Sequence, residues 1–425
     1  MHGQDRRVLV AGHLRLDAPL RDLCHAQAKH LETIRDATLS AFEFLVESAF
    51  EQAVDAVLLL GQLLDEHPTP RACSTFRDGI EALREEGIEV LWAAPSSAEP
   101  NLLKELNCLP PGVVLLNDAN PQAAFLANRE TRMESRREVV RCDLMDPHSL
   151  PSREWDGHET QTLLRIGITQ RPIGHLAQGD SLGGEPDRQF QLVLSSSPDR
   201  THTTRHQQTI YHAPGCLQGL DASLHGPCSA TLLRIGPDGS VELLSLETSR
   251  VRREHIEFSC DASVDEPQLL EQAELELLEL FSQVDSGPAR LLHIHWNIRG
   301  TLDWSTDWSS EKIQETLANR LPHTPSGIPL LHSVQRIPLM SGQIVACGEF
   351  LEEHLAEQYL QQLGEQLASD TSQDLEQACR ELFLAHERST HLPWQQLLAE
   401  SSLRILAPRA GELGVRALQD QSRAG

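Results

Sequence analysis

Long hydrophobic runs are missing from this sequence. Its longest, such as Val57–Leu60, fall far short of the roughly 20 apolar residues that span a bilayer, which argues against a membrane helix. Met1–Arg7 is polar and leads straight into a strand, unlike the apolar stretch of a secretory leader, so the expected location is the cytoplasm. C-x-x-C pairs are also missing. The nine cysteines stand apart at 24, 73, 108, 142, 216, 228, 260, 347 and 379, and an odd, dispersed set favours reduced, mostly buried thiols over a disulfide framework or zinc ribbon. Positive charge is scarce: 36 Lys and Arg face 62 Asp and Glu, for a net charge of −26. Such a chain repels nucleic acid at long range unless its charges are segregated.

Basic stretches do occur locally. Arg129, Arg132, Arg136, Arg137 and Arg141 are interleaved by Glu130, Glu134 and Glu138, a spacing that on a helix reads as ion-paired, solvated surface. Arg250, Arg252 and Arg253 form a second group. Two nucleophile or nucleotide signatures are absent. Ser195-Ser196-Ser197 lies in no G-x-S-x-G elbow, and Gly183-Gly184 lacks the strand–glycine–helix context of a phosphate loop. His202, His206, His212 and His225 have no acidic partners spaced among them, which favours exposed-loop histidines over a relocated metal site. His293 and His295, two apart on an expected strand, share one face.

What is present is a repeated strand-and-turn unit. The chain has 425 residues, 40% hydrophobic and 23% charged, enough for two or three domains. Val8–Gly12 runs into the polar turn His13–Leu20. Val54–Leu60 repeats the design before Gly61–Asp65, and Glu89–Ala93 before Ala94–Ser97. Between them the periodicity predicts helices over Ala28–Ala53 and from Thr69-Pro70 to Glu86, giving right-handed parallel units. Beyond Pro110-Pro111-Gly112 short strands separated by Gly-, Pro- and Ser-rich turns take over. Among them, Ser229–Ile235 and Val241–Leu246 are joined by Gly236-Pro237-Asp238-Gly239 as a hairpin. Gly174–Asp187 reads as a loop. Pro267–Val284 is an amphipathic acidic helix, followed by a strand over Arg290–Ile298, a helix over Ser310–Arg320 and a strand near Leu330–Ile337. From about Phe350 the chain reads as helical and acidic.

The three strand-and-turn units resemble, in order, the opening of the calcineurin-like metallophosphoesterases, and more narrowly the SbcD-type DNA double-strand-break repair exonucleases. Those begin with a strand ending in D-L-H-L-D-S-P-L, then V-D-x-V-L-x-x-G-D-L-x-D, then G-I-P-V-x-x-x-x-G-N-H-D. Here the counterparts are His13-Leu14-Arg15-Leu16-Asp17-Ala18-Pro19-Leu20, Val54–Asp65 and Gly87–Ser97. Tyr211–Gly219 resembles the family's Y-P-G-N-L-Q-G turn. The resemblance covers roughly residues 8–258. It implies an α/β fold, a calcineurin-like β-sandwich flanked by helices in four layers (αββα), then a small α/β capping domain and a helical C-terminal tail. The expected domains are 1–258, 259–345 and 346–425.

The resemblance also implies two divalent cations, usually manganese, which together stabilise attacking and leaving oxygens in phosphodiester hydrolysis. The positions that would hold them are altered. His13 stands for the first aspartate and Arg15 for the first histidine, and a guanidinium offers no lone pair to a metal. Gln62 replaces the bridging aspartate. Ser96 and Ser97 fall near the asparagine and the leaving-group histidine. Ser195 takes a later histidine position, and the final G-H-x-H is represented by Thr201-His202. Asp17 and Asp65 keep the family's acidic positions.

The expectation is therefore an SbcD-like exonuclease homologue with lost or weakened metal-dependent activity and a scaffold role. No cofactor is expected unless a remodelled site works, in which case it takes Mn2+ or another divalent metal through His13, Asp17, Asp65 and His202. A third reading is an anion-binding module using Arg15, which could equally pair with Asp17 or Asp65. The resemblance implies an SMC-like coiled-coil ATPase as partner of the C-terminal helices. DNA remains a possible ligand against the acidic net charge, and no membrane is expected.

Overall fold

The computed structural model describes residues 5–23, 28–65, 68–96, 98–117, 122–126, 137–145, 160–173, 190–197, 200–260, 266–284, 287–300 and 309–338. The loop expected at 174–187 and the helical tail from 346 onward lie outside them.

Strand β1 (Arg6–Gly12) is the pivot. It pairs in parallel with β2 (Ala56–Leu60), which continues to β3 (Glu89–Ala93) and β4 (Val114–Leu116). On its other edge it pairs antiparallel with β11 (Ser229–Ile235), which forms the expected hairpin with β12 (Val241–Glu247). The result is a six-stranded sheet ordered β12-β11-β1-β2-β3-β4. A second six-stranded sheet runs β5-β6-β7-β8-β10-β9. It comprises β5 (Gln122–Leu126), β6 (Arg137–Leu144), β7 (Thr160–Thr169), β8 (Leu192–Ser195), β9 (His202–His206) and β10 (Thr209–Ala213).

Strand periodicity divides the core. Val8, Val10, Leu58, Leu60 and Leu91 face the second sheet, meeting Val140, Leu164, Ile166, Leu192 and Leu194. The alternate residues Leu9, Val57, Leu59 and Trp92 face the helices α2 (Ala37–Glu51) and α3 (Pro70–Glu85), through Phe42, Leu45, Phe76 and Ile80. With both faces covered, these strands read as unbroken apolar runs. Each fully buried Leu or Phe contributes about 1.5–3 kcal/mol. Helix α3 starts where Thr69 Oγ1 accepts the Ala72 amide and Pro70 occupies the first turn, a position that suits a ring without an N–H. It lies close on α2: a Cβ at Gly79 would stand 2.7 Å from the Phe42 ring.

The helix expected over 28–53 is divided in two. α1 (Leu31–Arg35) stops at Asp36, and α2 begins at Ala37. Asp36 leaves the helical path and receives Arg71 in a fork at 2.7 and 2.8 Å. Strands β5 and β9 and the helix α4 (Ala98–Glu105) were not legible from periodicity. The mixed α/β sandwich flanked by helices is as expected, and among the described residues the helices cover its first sheet. On the outer side of the second, Val193 joins Ile173, Phe190, Tyr211 and Ala213 in a small apolar cluster.

A third, three-stranded sheet follows, ordered β13-β14-β15. β13 (Val251–Cys260), most of which falls within the expected 1–258 domain, pairs in parallel with β14 (Leu291–Gly300). Helices α5 (Glu266–Val284) and α6 (Ser310–Arg320) bury Leu269, Leu277 and Leu317 against Leu292, Ile294 and Trp296. β15 (Leu330–Pro338) completes it. The opposite face is apolar at one end, where Val251, Leu291 and Leu331 meet Leu23 and Ile34, and polar beyond it: His293 and His295 point the same way, both to Ser333 Oγ at 3.0 and 2.8 Å.

One cysteine expectation is corrected. Cys73 on α3 and Cys108 after α4 form a disulfide, because the two helices on this face bring distant positions together, which spacing alone does not reveal. Cys142, Cys216 and Cys228 are free thiols. Among the described residues no helix is long and apolar enough to cross a membrane.

Candidate functional site

The turn after β1 winds through three left-handed residues, His13 (φ 41°), Arg15 (φ 40°) and Asp17 (φ 72°). Leu14 and Leu16 alternate with them and are buried at 2% and 0% exposure. Left-handed backbone at non-glycine residues costs about 1–3 kcal/mol each and persists only where surroundings enforce it. Here the enforcement comes from the turn after β2. The His13 amide donates to Leu60 O at 2.8 Å, Leu16 to Leu63 O at 2.9 Å, and Asp65 back to Leu16 O at 3.1 Å. The two turns are zipped together, their leucines point into the helix-side core, and their polar side chains are left at the strand ends.

The His13 ring lies flat against Gly61. A Cβ there would stand 2.5 Å from the ring, so the histidine occupies space only a glycine leaves. The ring is anchored across the sandwich, its Nε2 donating to the carbonyl of Ser196 beyond β8. Arg15 reaches Asp65 with one guanidinium nitrogen at 3.5 Å, which resolves the alternatives for its partner. Its buried Nε has no hydrogen-bond partner. Asp17 does not reach Arg15's ion pair; its carboxylate accepts the Thr69 amide at 2.9 Å, beside the start of α3. The amide of Arg15 donates to Gln62 O at 3.4 Å.

The remaining predicted positions are distributed differently. Ser96 Oγ accepts the Ala98 amide at 3.3 Å, at the start of α4; Ser97 lies outside the described residues. Ser195 is fully buried, donating to Arg171 O at 2.7 Å and accepting from the Ser197 amide at 3.2 Å. His202 sits exposed at the start of β9, opposite Ala213. The structure thus brings together the turns carrying His13, Arg15, Gln62 and Asp65, and leaves His202 on a strand edge. His206 is exposed on the same strand, and His225 touches Arg200.

One functional-site residue escaped the sequence reading, and one histidine was expected in the wrong setting. Glu99, half-buried at the start of α4, accepts the Leu63 amide at 2.9 Å and so fixes the β2 turn. Burial pushes its carboxyl pKa up, while the Leu63 and Leu64 amides pull it back. A signal existed, since Ser96-Ser97-Ala98-Glu99 has capping-box spacing. His212, buried on β10, bridges Thr203 Oγ1 at 2.8 Å and Thr231 Oγ1 at 2.7 Å. Its pKa falls to about 4, from burial first and then from His202. The expectation of an exposed-loop histidine is corrected here: His212 lies on β10 between the buried Tyr211 and Ala213, and is itself buried.

The donor set does not fit the pair of divalent cations that the resemblance implies. Hard cations require converging anionic oxygens and imidazoles, with a bridging carboxylate for two ions. Gln62 stands where the resemblance sets the bridging carboxylate, His13 is committed to Ser196, and the Asp65 carboxylate is paired with the Arg15 cation. Among the described residues no three His, Cys, Asp or Glu side chains converge in a metal-binding group.

No protein-family profile and no curated sequence matches this chain. Among solved structures, it is similar in part to the Thermus thermophilus protein TT1561, with 12% identity and a TM-score of 0.31 over 57% of this chain and 99% of that one. A Danio rerio dimetal phosphatase gives 13% and 0.31 over 57% and 99%. A putative 5'-nucleotidase from Staphylococcus aureus, solved with alpha-ketoglutarate, gives 10% and 0.34 over 64% and 58%. Likenesses at these values assign neither family nor activity.

Proposed function

We propose that this chain is a phosphoesterase-like sandwich, related to the SbcD-type exonucleases, whose dinuclear metal centre has been replaced by protein contacts. In this reading it works as a scaffold rather than a hydrolase. The observation that carries it is the pairing at the joined turns. Arg15 is bound to Asp65 at 3.5 Å, where the family motifs would set histidine beside a metal, and the His13 ring fills the space over Gly61. A fixed cation among the ligand positions opposes a divalent ion by direct repulsion. The order of the matched motifs along β1, β2, β3 and the Tyr211–Gly219 turn supports descent from that family. An SMC-like ATPase held by residues after 346 is the partner this reading implies.

The test is manganese binding and cleavage of labelled double-stranded DNA ends, measured on the same purified protein. No stoichiometric manganese and no cleavage is the expected result. Stoichiometric manganese with cleavage that Asp65→Ala abolishes would overturn the scaffold reading and restore a remodelled nuclease.

A second reading has its own support. The unpartnered Nε–H of Arg15 leaves a guanidinium donor for a phosphate or carboxylate. Calorimetric titration with inorganic phosphate, on the wild type and Arg15→Met, decides it: saturable binding lost in the variant favours an anion site, and no heat removes it.

A further inference from the structure

Cys216 and Cys228 lie in the segment that joins β10 of the second sheet to β11 of the first, and meet beside the start of the third sheet. Their sulfurs are 3.7 Å apart. Cys216 is 7% exposed within the turn Pro214–Gly219, while Cys228 is partly exposed just before β11. A thiol–thiol contact of this kind is a different arrangement from an inert buried cysteine such as Cys142, whose thiol burial pushes far out of the titration range. Each sulfur is the other's hydrogen-bond partner, with Cys216 held toward the thiolate and Cys228 toward the thiol.

The turn that carries Cys216 is a structural junction. The Gly215 carbonyl packs on Gly12, where a Cβ would come within 2.3 Å. Pro214 O accepts Thr201 Oγ1 at 2.8 Å, and Leu217 O accepts Thr248 Oγ1 at 2.8 Å. Gln218 Oε1 accepts the amides of Arg250 and Val251 at 2.9 and 3.1 Å. Cys228 is held at the other side of the contact, its amide on Ser249 Oγ and its carbonyl accepting the Thr248 amide. The backbone on both sides is therefore fixed, and the sulfurs bridge the gap between two anchored segments.

We infer that Cys216 and Cys228 form a peroxide-responsive dithiol, closed by oxidation into a disulfide that staples the Pro214–Gly219 turn to the entry of β11. The balance is complete with a hydroperoxide as oxidant. The Cys216 thiolate attacks the terminal peroxide oxygen, the O–O bond breaks, and the alcohol or water leaves after taking a proton, giving a sulfenic acid on Cys216. The Cys228 sulfur then attacks Cys216, the S–OH bond breaks, and water departs with the Cys228 proton. Two thiols and one peroxide yield one disulfide. The small volume of hydrogen peroxide suits a pair of which one member is buried and the other partly exposed.

The experiment treats the full-length protein with near-stoichiometric hydrogen peroxide, blocks remaining thiols, and maps peptides without reduction. The expected product is a Cys216–Cys228 cross-linked peptide pair lighter by two hydrogens, formed while Cys142 is still alkylated only after denaturation. Dithiothreitol returns both thiols, and the oxidised protein melts at a higher temperature than the reduced one. Cys228→Ser keeps the sulfenic acid on Cys216, trapped by dimedone, whereas Cys142→Ser leaves the cross-link unchanged. If Cys228→Ser does not fold, the wild-type peptide map alone still decides. Cys216 and Cys228 recovered unlinked after peroxide, or Cys216 over-oxidised to sulfinic acid with no cross-link, would overturn the inference.

Discussion

At the residue scale, the candidate site is a set of substitutions whose consequences depend on one another. Gly61 (φ 73°) stands against the His13 ring, where a Cβ would come within 2.5 Å. Gly61→Ala combines left-handed strain with a clash against an anchored side chain, and is expected to destabilise the fold by about 2–4 kcal/mol; urea denaturation with an unchanged slope checks it. Reducing the clash should recover part of that loss, so the Gly61→Ala, His13→Ala double variant should be more stable than Gly61→Ala alone. Arg15 and Asp65 are each about one-third exposed, and a lone pair in that setting is worth less than about 1 kcal/mol. Arg15→Met should therefore leave the melting temperature nearly unchanged. A large loss on Arg15→Met would mean that the guanidinium organises the turns through contacts beyond Asp65.

The site was only partly legible in the sequence, for a physical reason. Motif spacing carried His13, Arg15, Gln62 and Asp65 to the right turns because strand ends are set by apolar runs. It could not show that the His13 ring would be seated on Gly61 and bonded to the Ser196 carbonyl, since that contact spans 183 residues. Nor did it place Glu99 on the Leu63 amide: the capping-box spacing points to a local bond, and the carboxylate makes a distant one instead.

At the element scale, periodicity located the parallel strands and their helices because both faces of the first sheet are buried. It failed where elements are short or polar. β9 is polar throughout, His202-Thr203-Thr204-Arg205-His206, on a sheet edge, and α4 has only eight residues. The division of the 28–53 helix at Asp36 follows from the Arg71 fork, a partner that lies on another helix. One buried side chain contributes several hydrogen bonds to the link between the sandwich and the third sheet, beside the apolar cluster of Leu23, Ile34, Val251, Leu291 and Leu331. Gln218 is 2% exposed; its oxygen takes two backbone amides, and its Nε2 donates to Val251 O at 2.7 Å. Gln218→Leu strands those amides without an acceptor. Each buried unsatisfied group costs about 1–3 kcal/mol, so a loss of at least about 3 kcal/mol is expected. Hydrogen exchange should speed up first at Arg250 and Val251, and equal protection there in wild type and variant would refute this role.

At the scale of the whole molecule, the acidic balance and the buried histidines act on stability in different pH ranges. The net charge of −26 falls in magnitude as carboxylates take up protons, which by itself would ease self-repulsion below neutrality. The histidines oppose that gain. His212 and His332 are buried as neutral rings with pKa values lowered to about 4, and His293 to about 3, in each case chiefly by burial. Arg253, His295 and His332 add to the shift of His293. Each ring has ordered partners: Thr203 and Thr231 for His212, Ser333 for His293, and Leu321 O with the Trp296 indole for His332. A lowered pKa means that the unfolded chain binds the proton first. The stabilisation is full above the unfolded value near 6.5 and is lost progressively as pH falls toward 4. At pH 5 each such histidine withdraws roughly 2 kcal/mol. Glu99 and Glu247, whose pKa values burial raises, work in the opposite sense and favour the folded state slightly on acidification. Three histidines on two sheets outweigh two half-buried carboxylates, so the net expectation is acid lability. Urea midpoints should fall steadily from pH 7 to pH 4.5, and His332→Gln should flatten that slope by close to one proton. A slope that His332→Gln left unchanged over this range would overturn this account.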